Sequence, residues 1–153
     1  MYHVLDIIRG TTVDGPGFRT SIYLAGCDHR CVGCHNPQSW DPSGGVIMTL
    51  EEIMEVVEEE DFDVTLTGGD PLHDPEALKA LVKALKINGR NIWIYTGFTW
   101  EEIAGNETLL SAVKEADVIV DGLYVESLRD PDLPFRGSSN QRIIDVHEQL
   151  AKK

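Results

Sequence analysis

Alternation of strand and helix signals is the feature that most constrains how this chain folds. Residues 63–67, 91–96 and 117–121 are rich in β-branched and aromatic side chains, and each run stops at or next to a glycine. Amphipathic helical periodicity fills the intervals between these runs. Strands spaced about 25–30 residues apart, with helices between them, predict an α/β fold of βα units with a parallel sheet.

Helix-start signals mark where the helices between the predicted strands begin. Thr49 with Glu52 and Thr99 with Glu102 both have the form of a capping box. They predict one helix over residues 50–60 and a second that continues intermittently from residue 100 to about 116. Asp74 before a proline predicts a third helix, whose buried stripe is Leu78, Leu81, Val82 and Leu85.

The remaining elements are shorter. Residues 3–8 and 19–25 predict two further strands, separated by a glycine-rich turn. Residues 35–46 carry several proline and glycine breakers and predict irregular structure. A short final helix is predicted near the end of the chain.

All three cysteines lie within eight residues, at Cys27, Cys31 and Cys34, directly after the strand predicted at 19–25. Their spacing is C-x3-C-x2-C. The turn Gly68-Gly69-Asp70 follows another predicted strand. Because function in parallel sheets concentrates at the carboxyl ends of the strands, both segments predict one shared site.

Three kinds of chemistry suit these cysteines. A structural zinc site would need His29 or His35 as a fourth ligand. Redox use of the C-x2-C pair would leave Cys27 without a role. A 4Fe–4S cluster held by three thiolates would leave the fourth iron open to an exogenous ligand. The spacing alone leaves the three alternatives open.

Composition limits the setting of the protein. The 153 residues are sufficient for one domain, predicted over 1–153, and the net charge of −13 disfavours binding to nucleic acid or to anionic membranes. No apolar run approaches the roughly 20 residues of a membrane span. An odd number of cysteines without a signal peptide favours a reducing cytoplasm.

The cysteine triplet resembles the signature of the radical S-adenosylmethionine (SAM) enzymes. The segments Asp14-Gly15-Pro16-Gly17-Phe18-Arg19 and Cys34-His35-Asn36 resemble the glycyl-radical-enzyme activases among them. The short chain and three further motifs are similar to the activating proteins of anaerobic ribonucleoside-triphosphate reductases. Those motifs are Gly68-Gly69-Asp70-Pro71-Leu72-His73, Trp93-Ile94-Tyr95-Thr96-Gly97 and Arg136-Gly137-Ser138-Ser139-Asn140-Gln141.

The resemblance implies an incomplete (βα) barrel, since an eight-unit barrel takes about 250 residues. It implies a 4Fe–4S cluster on Cys27, Cys31 and Cys34, with SAM on the open iron. One electron would cleave SAM to methionine and a 5′-deoxyadenosyl radical, which would take a hydrogen atom from a glycine of the large reductase subunit. The implied partners are that subunit and a one-electron reductant of the flavodoxin or ferredoxin type.

The resemblance also implies the SAM contacts. Gly33 stands where the wider superfamily usually has an aromatic residue, so adenine packing would fall to other groups such as His35. Cys34 lies between Gly33 and His35 in the sequence and is also expected among the cofactor contacts. Gly68 and Gly69 would let the backbone approach SAM. Asp70 would either cap its own turn or pair with the ammonium group of SAM.

Other residues of the motifs have simpler interpretations. Asp14 and Arg19 are expected to anchor the Gly-Pro-Gly turn, and His73 is expected to be a satisfied turn residue. Trp93 and Tyr95 are expected in the core or the barrel lining. No chemistry follows from residues 136–141, for which partner docking and a SAM contact are both open.

Two other functions fit the same motifs. The chain could activate a different glycyl radical enzyme, of the pyruvate formate-lyase type. From a different class, it could be a non-catalytic zinc or iron–sulfur binding module.

Overall fold

The computed structural model describes residues 2–12, 14–26, 45–130 and 132–151. The strands are β1 (Tyr2–Thr11), β2 (Arg19–Leu24), β3 (Val46–Met48), β4 (Asp63–Gly68), β5 (Ile92–Tyr95), β6 (Val118–Asp121) and β7 (Arg142–Asp145). The helices are α1 (Leu50–Glu60), α2 (Pro75–Ile87), α3 (Trp100–Ala104), α4 (Glu107–Val113) and α5 (Val146–Ala151).

Within the described residues, the seven strands form one sheet in the order β3-β1-β2-β4-β5-β6-β7. The four central strands, β2, β4, β5 and β6, are parallel to one another. The outer strands β1, β3 and β7 pair antiparallel with their neighbours. The fold is therefore mixed α/β with a parallel centre, as the alternating strand and helix signals predict.

The helix boundaries confirm the start signals. Both capping boxes form, at Thr49 with Glu52 and at Thr99 with Glu102. The side chain of Asp74 caps α2, and the predicted stripe of that helix is fully buried. The intermittent helix predicted from residue 100 is two helices, because Asn106 caps a new one after Gly105.

Alternation along the strands gives the sheet two different faces. On one face, aliphatic side chains pack against the helices and form the main core, including Ile22, Leu66, Ile94 and Ile119, all 0% exposed. On the other face, β2, β4 and β5 carry Arg19, Ser21, Tyr23, Thr65, Trp93 and Tyr95. We call this second surface the polar face.

No helix in the described part of the chain has the length and apolar character needed to cross a membrane.

Candidate cofactor-binding site

The carboxyl end of β2 is hydrogen-bonded to the turn that follows β4. The N–H of Gly69 donates to the carbonyl of Leu24 at 2.8 Å, and the N–H of Asp70 donates to the carbonyl of Gly26 at 2.7 Å. These bonds continue the parallel pairing of the two strands beyond their ends. The residue that directly precedes the cysteine triplet is thus joined to the Gly68-Gly69-Asp70 turn, as the sequence predicts.

The cysteine segment itself lies outside the described residues. This includes five of the residues predicted to bind the cofactors: Cys27, Cys31, Gly33, Cys34 and His35. Their roles as cluster ligands and SAM contacts therefore stay predictions. The other three predicted contacts, Gly68, Gly69 and Asp70, are described and lie together.

Two glycines at this junction have no space for a side chain. Gly68 has a φ of +107°, and a β-carbon there would overlap the backbone nitrogen of Leu24 and lie 2.8 Å from the carbonyl carbon of Tyr23. Gly26 has a φ of +106°, and its β-carbon would lie 2.6 Å from Cδ2 of His73. At Gly68 the end of β4 therefore approaches the backbone of β2 too closely for any side chain, whereas Gly26 is limited by the His73 ring and by its positive φ.

Asp70 links the turn after β4 to the end of β5 through one buried carboxylate, in a residue that is 3% exposed. Its Oδ1 accepts a hydrogen bond from the N–H of Leu72 at 2.9 Å. Its Oδ2 accepts from the hydroxyl of Thr96 and from the N–H of Gly97, both at 2.9 Å. The predicted capping role is confirmed, and the predicted contact with SAM stays a prediction.

Thr96 and Gly97 are functional candidates that sequence reasoning missed. They follow β5, and Asp70 ties them to the end of β4. The only available signal was their place at the end of a predicted strand, inside the motif of residues 93–97. The carboxylate thereby holds the ends of two parallel strands in one arrangement.

A cavity of about 390 Å³ borders this junction. His73 contributes its ring to the lining, and its backbone N–H donates to the carbonyl of Asp70 at 2.8 Å, which agrees with its expected place in a turn. Nδ1 of His3 is buried without a hydrogen-bond partner among the described residues. The cavity is lined by Tyr2, His3, Leu24, Ala25, Asp70, Pro71, His73, Asp74, Pro75, Ala77 and Leu78.

Arg19, the first residue of β2, anchors that end of the polar face. Its side chain, in a residue only 1% exposed, donates to Thr65 Oγ1 at 2.9 Å, and to the carbonyls of Val64 and Asn91 at 2.8 and 3.0 Å. It also donates to the carbonyl of Pro16 at 3.3 Å, which confirms the expected anchoring of the turn. Burial lowers the pKa of this guanidinium below its ordinary value.

The side chain of Asp14 connects the same turn to β2. Its Oδ2 accepts hydrogen bonds from Ser21 Oγ at 2.9 Å and from the Tyr23 hydroxyl at 3.0 Å. Burial, and then the charge of Asp14, raise the pKa of Tyr23 to about 12. Burial and Asp14 also raise the pKa of Tyr95. Both phenols are therefore neutral hydrogen-bond donors near neutral pH.

The motif at residues 136–141 folds a loop back over the polar face. Oε1 of Gln141 accepts from the N–H groups of Gly137 and Ser138 at 2.8 and 3.1 Å. Nε2 of Gln141 donates to the carbonyl of Gly122 at 3.0 Å. Phe135, at the base of this loop, packs edge-on against Trp93 with ring centroids 5.4 Å apart. The motif thus has a structural role that its sequence did not reveal.

Among the described residues, no group of three His, Cys, Asp or Glu side chains is placed to hold a metal ion.

Comparison with known proteins gives consistent matches. A family model described as a 4Fe-4S single cluster domain matches residues 13–144. The chain is 35% identical to the anaerobic ribonucleoside-triphosphate reductase-activating protein of Escherichia coli K12, covering 92% of this chain and 93% of that protein. It is 37% identical to the protein of the same name from Enterobacteria phage T4, covering 86% of each.

A solved structure supports the fold. QueE from Escherichia coli superposes with a TM-score of 0.56 and 20% sequence identity, covering 78% of this chain and 69% of that one. At that identity, the likeness concerns the fold alone.

Proposed function

The chain belongs to the family of anaerobic ribonucleoside-triphosphate reductase-activating proteins, and from this premise we propose that it installs a glycyl radical on such a reductase by reductive cleavage of SAM. It is an activating enzyme of the oxidoreductase type. The proposal covers residues 1–153 as one catalytic domain that works in the cytoplasm.

The junction between β2 and β4 carries the proposal. The hydrogen bond from Asp70 to Gly26 joins the start of the cysteine segment to the glycine turn. Gly26, the residue before the cysteine triplet, is 42 residues from Gly68 in sequence but lies beside the glycine turn in the fold. A site that must hold a cluster and SAM side by side needs such a convergence.

The residues present suit both groups. Three closely spaced thiolates are the donor set of an iron–sulfur cluster, and Cys27, Cys31 and Cys34 would hold it. Gly33, His35 and the turn Gly68-Gly69-Asp70 would hold SAM. When bound, the cluster and SAM supply the chemistry: one electron and SAM give methionine and 5′-deoxyadenosine, whose added hydrogen atom comes from the reductase glycine.

The protein's own contribution is to position these groups and to exclude water. Asp70 fixes the turn and the end of β5 through Leu72, Thr96 and Gly97. Its two carboxylate oxygens already accept three bonds, so any contact with the SAM ammonium would use their remaining lone pairs or the nearby backbone. Burial of this network makes the arrangement rigid before the cofactors bind.

We propose that the sheet is a partial barrel whose polar face forms the inner wall. Its two outermost strands, β3 and β7, do not pair with each other in the described part of the chain. An open side would let the glycine-bearing segment of the large reductase subunit reach the polar face. A flavodoxin- or ferredoxin-type protein would supply the electron.

The direct test is anaerobic reconstitution with iron and sulfide, reduction, and measurement of 5′-deoxyadenosine after SAM is added. We expect the product from the intact protein, and its loss together with the cluster in Cys27→Ala, Cys31→Ala and Cys34→Ala. Cluster-loaded, reduced protein that forms no 5′-deoxyadenosine would contradict the proposal and favour a non-catalytic module.

A further inference from the structure

A second, smaller cavity lies on the polar face, beneath the loop that contains residues 133–137. Its volume is about 270 Å³, and it shares no lining residue with the Gly68-Gly69-Asp70 turn. It is therefore distinct from the described part of the proposed SAM site. Its lining residues are Asp14, Tyr95, Leu133, Phe135, Arg136 and Gly137.

Two residues of this lining carry buried hydrogen-bond donors that are not used. The hydroxyl of Tyr95 and Nε of Arg136 have no hydrogen-bond partner among the described residues. By contrast, the hydroxyls of Tyr2 and Tyr23 are bonded to Ala77 and Asp14 at 2.7 and 3.0 Å. An unmet buried donor destabilises a fold, so two of them in one cavity lining call for an explanation.

The chemistry of the pair selects an acceptor. A guanidinium Nε–H only donates, and a neutral phenol beside the Asp14 carboxylate serves best as a donor. Oδ2 of Asp14 already accepts from Ser21 and Tyr23. The missing ligand atoms are therefore oxygens with free lone pairs, such as the carbonyls of a peptide main chain.

The loop that contains Arg136 is held in place by hydrogen bonds of the Gln141 side chain. Gln141 binds Gly137, Ser138 and the carbonyl of Gly122, as described above. Phe135 has a φ of +59°, an unfavourable conformation for a residue with a side chain, and it covers Trp93. The loop is thus rigid at its carboxyl side and strained at the point where it covers the cavity.

We propose that Tyr95 and Arg136 are specificity-determining residues that donate hydrogen bonds to main-chain carbonyls of the glycine-bearing segment of the reductase. The inference rests on the proposed function and identifies where the partner is recognised. Hydrogen bonds to such carbonyls would satisfy both donors.

The test compares Tyr95→Phe, Arg136→Gln and Arg136→Lys with the intact protein, all with the cluster loaded. Three quantities are measured: the Kd for the reductase by calorimetry, the Tm, and 5′-deoxyadenosine formed from SAM without reductase. Tyr95→Phe removes an unpaired hydroxyl, so we expect a higher Tm but a Kd about five- to tenfold weaker. SAM cleavage without reductase should stay within about twofold.

The arginine variants separate hydrogen bonding from charge. Arg136→Gln should weaken the Kd by about five- to tenfold, and Arg136→Lys should recover part of that loss. Arg90→Gln is the control, because Arg90 also has a buried, unpartnered Nε but lies at the amino end of β5. We expect it to leave the Kd unchanged. Tyr23→Phe, which loses a real hydrogen bond, should lower the Tm.

Three outcomes would overturn the inference. An unchanged Kd in Tyr95→Phe would mean that the hydroxyl meets only a buried water. If SAM cleavage without reductase fell in Tyr95→Phe by as much as the affinity for the reductase, Tyr95 would be assigned to SAM binding. If Arg90→Gln lost as much affinity for the reductase as Arg136→Gln does, the effect of Arg136 would be one of net charge alone. The Kd needs no radical chemistry, so an intact protein that binds the reductase but forms no 5′-deoxyadenosine contradicts the proposed function alone.

Discussion

The imidazole ring of His73 lies against the backbone of Gly26, so that a β-carbon on Gly26 would be 2.6 Å from His73 Cδ2. Gly26 also has a positive φ of +106°. We therefore expect Gly26→Ala to lower the free energy of unfolding by more than the roughly 1–3 kcal/mol of the backbone conformation alone. Urea denaturation of the cluster-free protein measures this, and iron content per chain measures the consequence for the cysteine segment.

Gly89→Ala is the matched control, since Gly89 has a φ of +79° with nothing within 4 Å of an added β-carbon. It should show the backbone cost without the contact. Replacing His73 with alanine in the Gly26→Ala background should recover part of the difference, with a coupling of about 0.5–3 kcal/mol. No coupling between the two positions would show that the ring does not set this backbone.

The Asp70 carboxylate accepts three hydrogen bonds, one from its own turn and two from the segment that follows β5. Asp70→Asn places an amide NH2 group against a donor, because one oxygen faces Leu72 N–H and the other faces Thr96 and Gly97. We expect a loss of about 1–3 kcal/mol in the free energy of unfolding. Thermal and urea unfolding of the cluster-free protein measure it in the absence of SAM.

Asp74→Asn serves as its control. Asp74 is an exposed N-cap that accepts one bond from Ala77 N–H, and asparagine caps helices as well as aspartate does. We expect a change close to zero. An Asp70→Asn protein as stable as Asp74→Asn would contradict the linking role of the carboxylate.

Arg19→Lys should be strongly destabilising although the charge is kept. Lysine has one compact ammonium group and cannot reach Pro16 in the turn, Val64 in β4 and Asn91 before β5 together, as the Arg19 guanidinium does. The loss should be about 1.5–3 kcal/mol, seen as a lower urea midpoint at unchanged m-value. Arg129→Lys, at an exposed site, should stay within about 0.5 kcal/mol. Equal effects at both sites would contradict this account of Arg19.

Asp117 predicts a pH dependence of stability on the acid side. Burial acts to raise its pKa, but hydrogen bonds from Ile92 N–H, Lys86 and His147 outweigh burial, and the pKa in the folded state is lowered. A lowered pKa stabilises the fold above the ordinary carboxylate pKa, and the contribution disappears as pH falls through the folded value.

The measurement is the difference in unfolding free energy between the intact protein and Asp117→Asn across pH. We expect the difference to be constant above about pH 5 and to shrink toward about pH 2. A difference that does not change with pH would show that the carboxylate contributes through shape alone.

Local chemistry made much of the fold predictable from the sequence. The capping boxes at Thr49 and Thr99 depend on side chains three residues apart, and both form as predicted. The stripe of α2 depends only on helical periodicity. The five predicted strands begin and end within three residues of the observed ones, but β3 and β7, which are short, were not predicted as strands.

Long-range hydrogen bonds explain what could not be predicted. The bonds of Arg19 to Val64 and Asn91 span 45 and 72 residues, and no periodicity encodes them. The same holds for the contact of Gln141 with Gly122, which gives the motif at 136–141 its role. The site was predictable only where it depends on strand ends, because parallel strands bring their carboxyl ends together whatever the side chains are.

Glycyl radical formation by this protein is measured most directly as transfer of deuterium from reductase labelled with α-deuterated glycine. The labelled reductase is incubated anaerobically with the reduced, cluster-loaded protein and SAM. We expect one deuterium in each 5′-deoxyadenosine formed by transfer. We also expect an organic radical by EPR on the reductase, whose proton doublet in unlabelled protein collapses in the labelled one. Formation of 5′-deoxyadenosine without deuterium and without that radical, in a complex shown to form, would contradict glycyl radical formation by this protein.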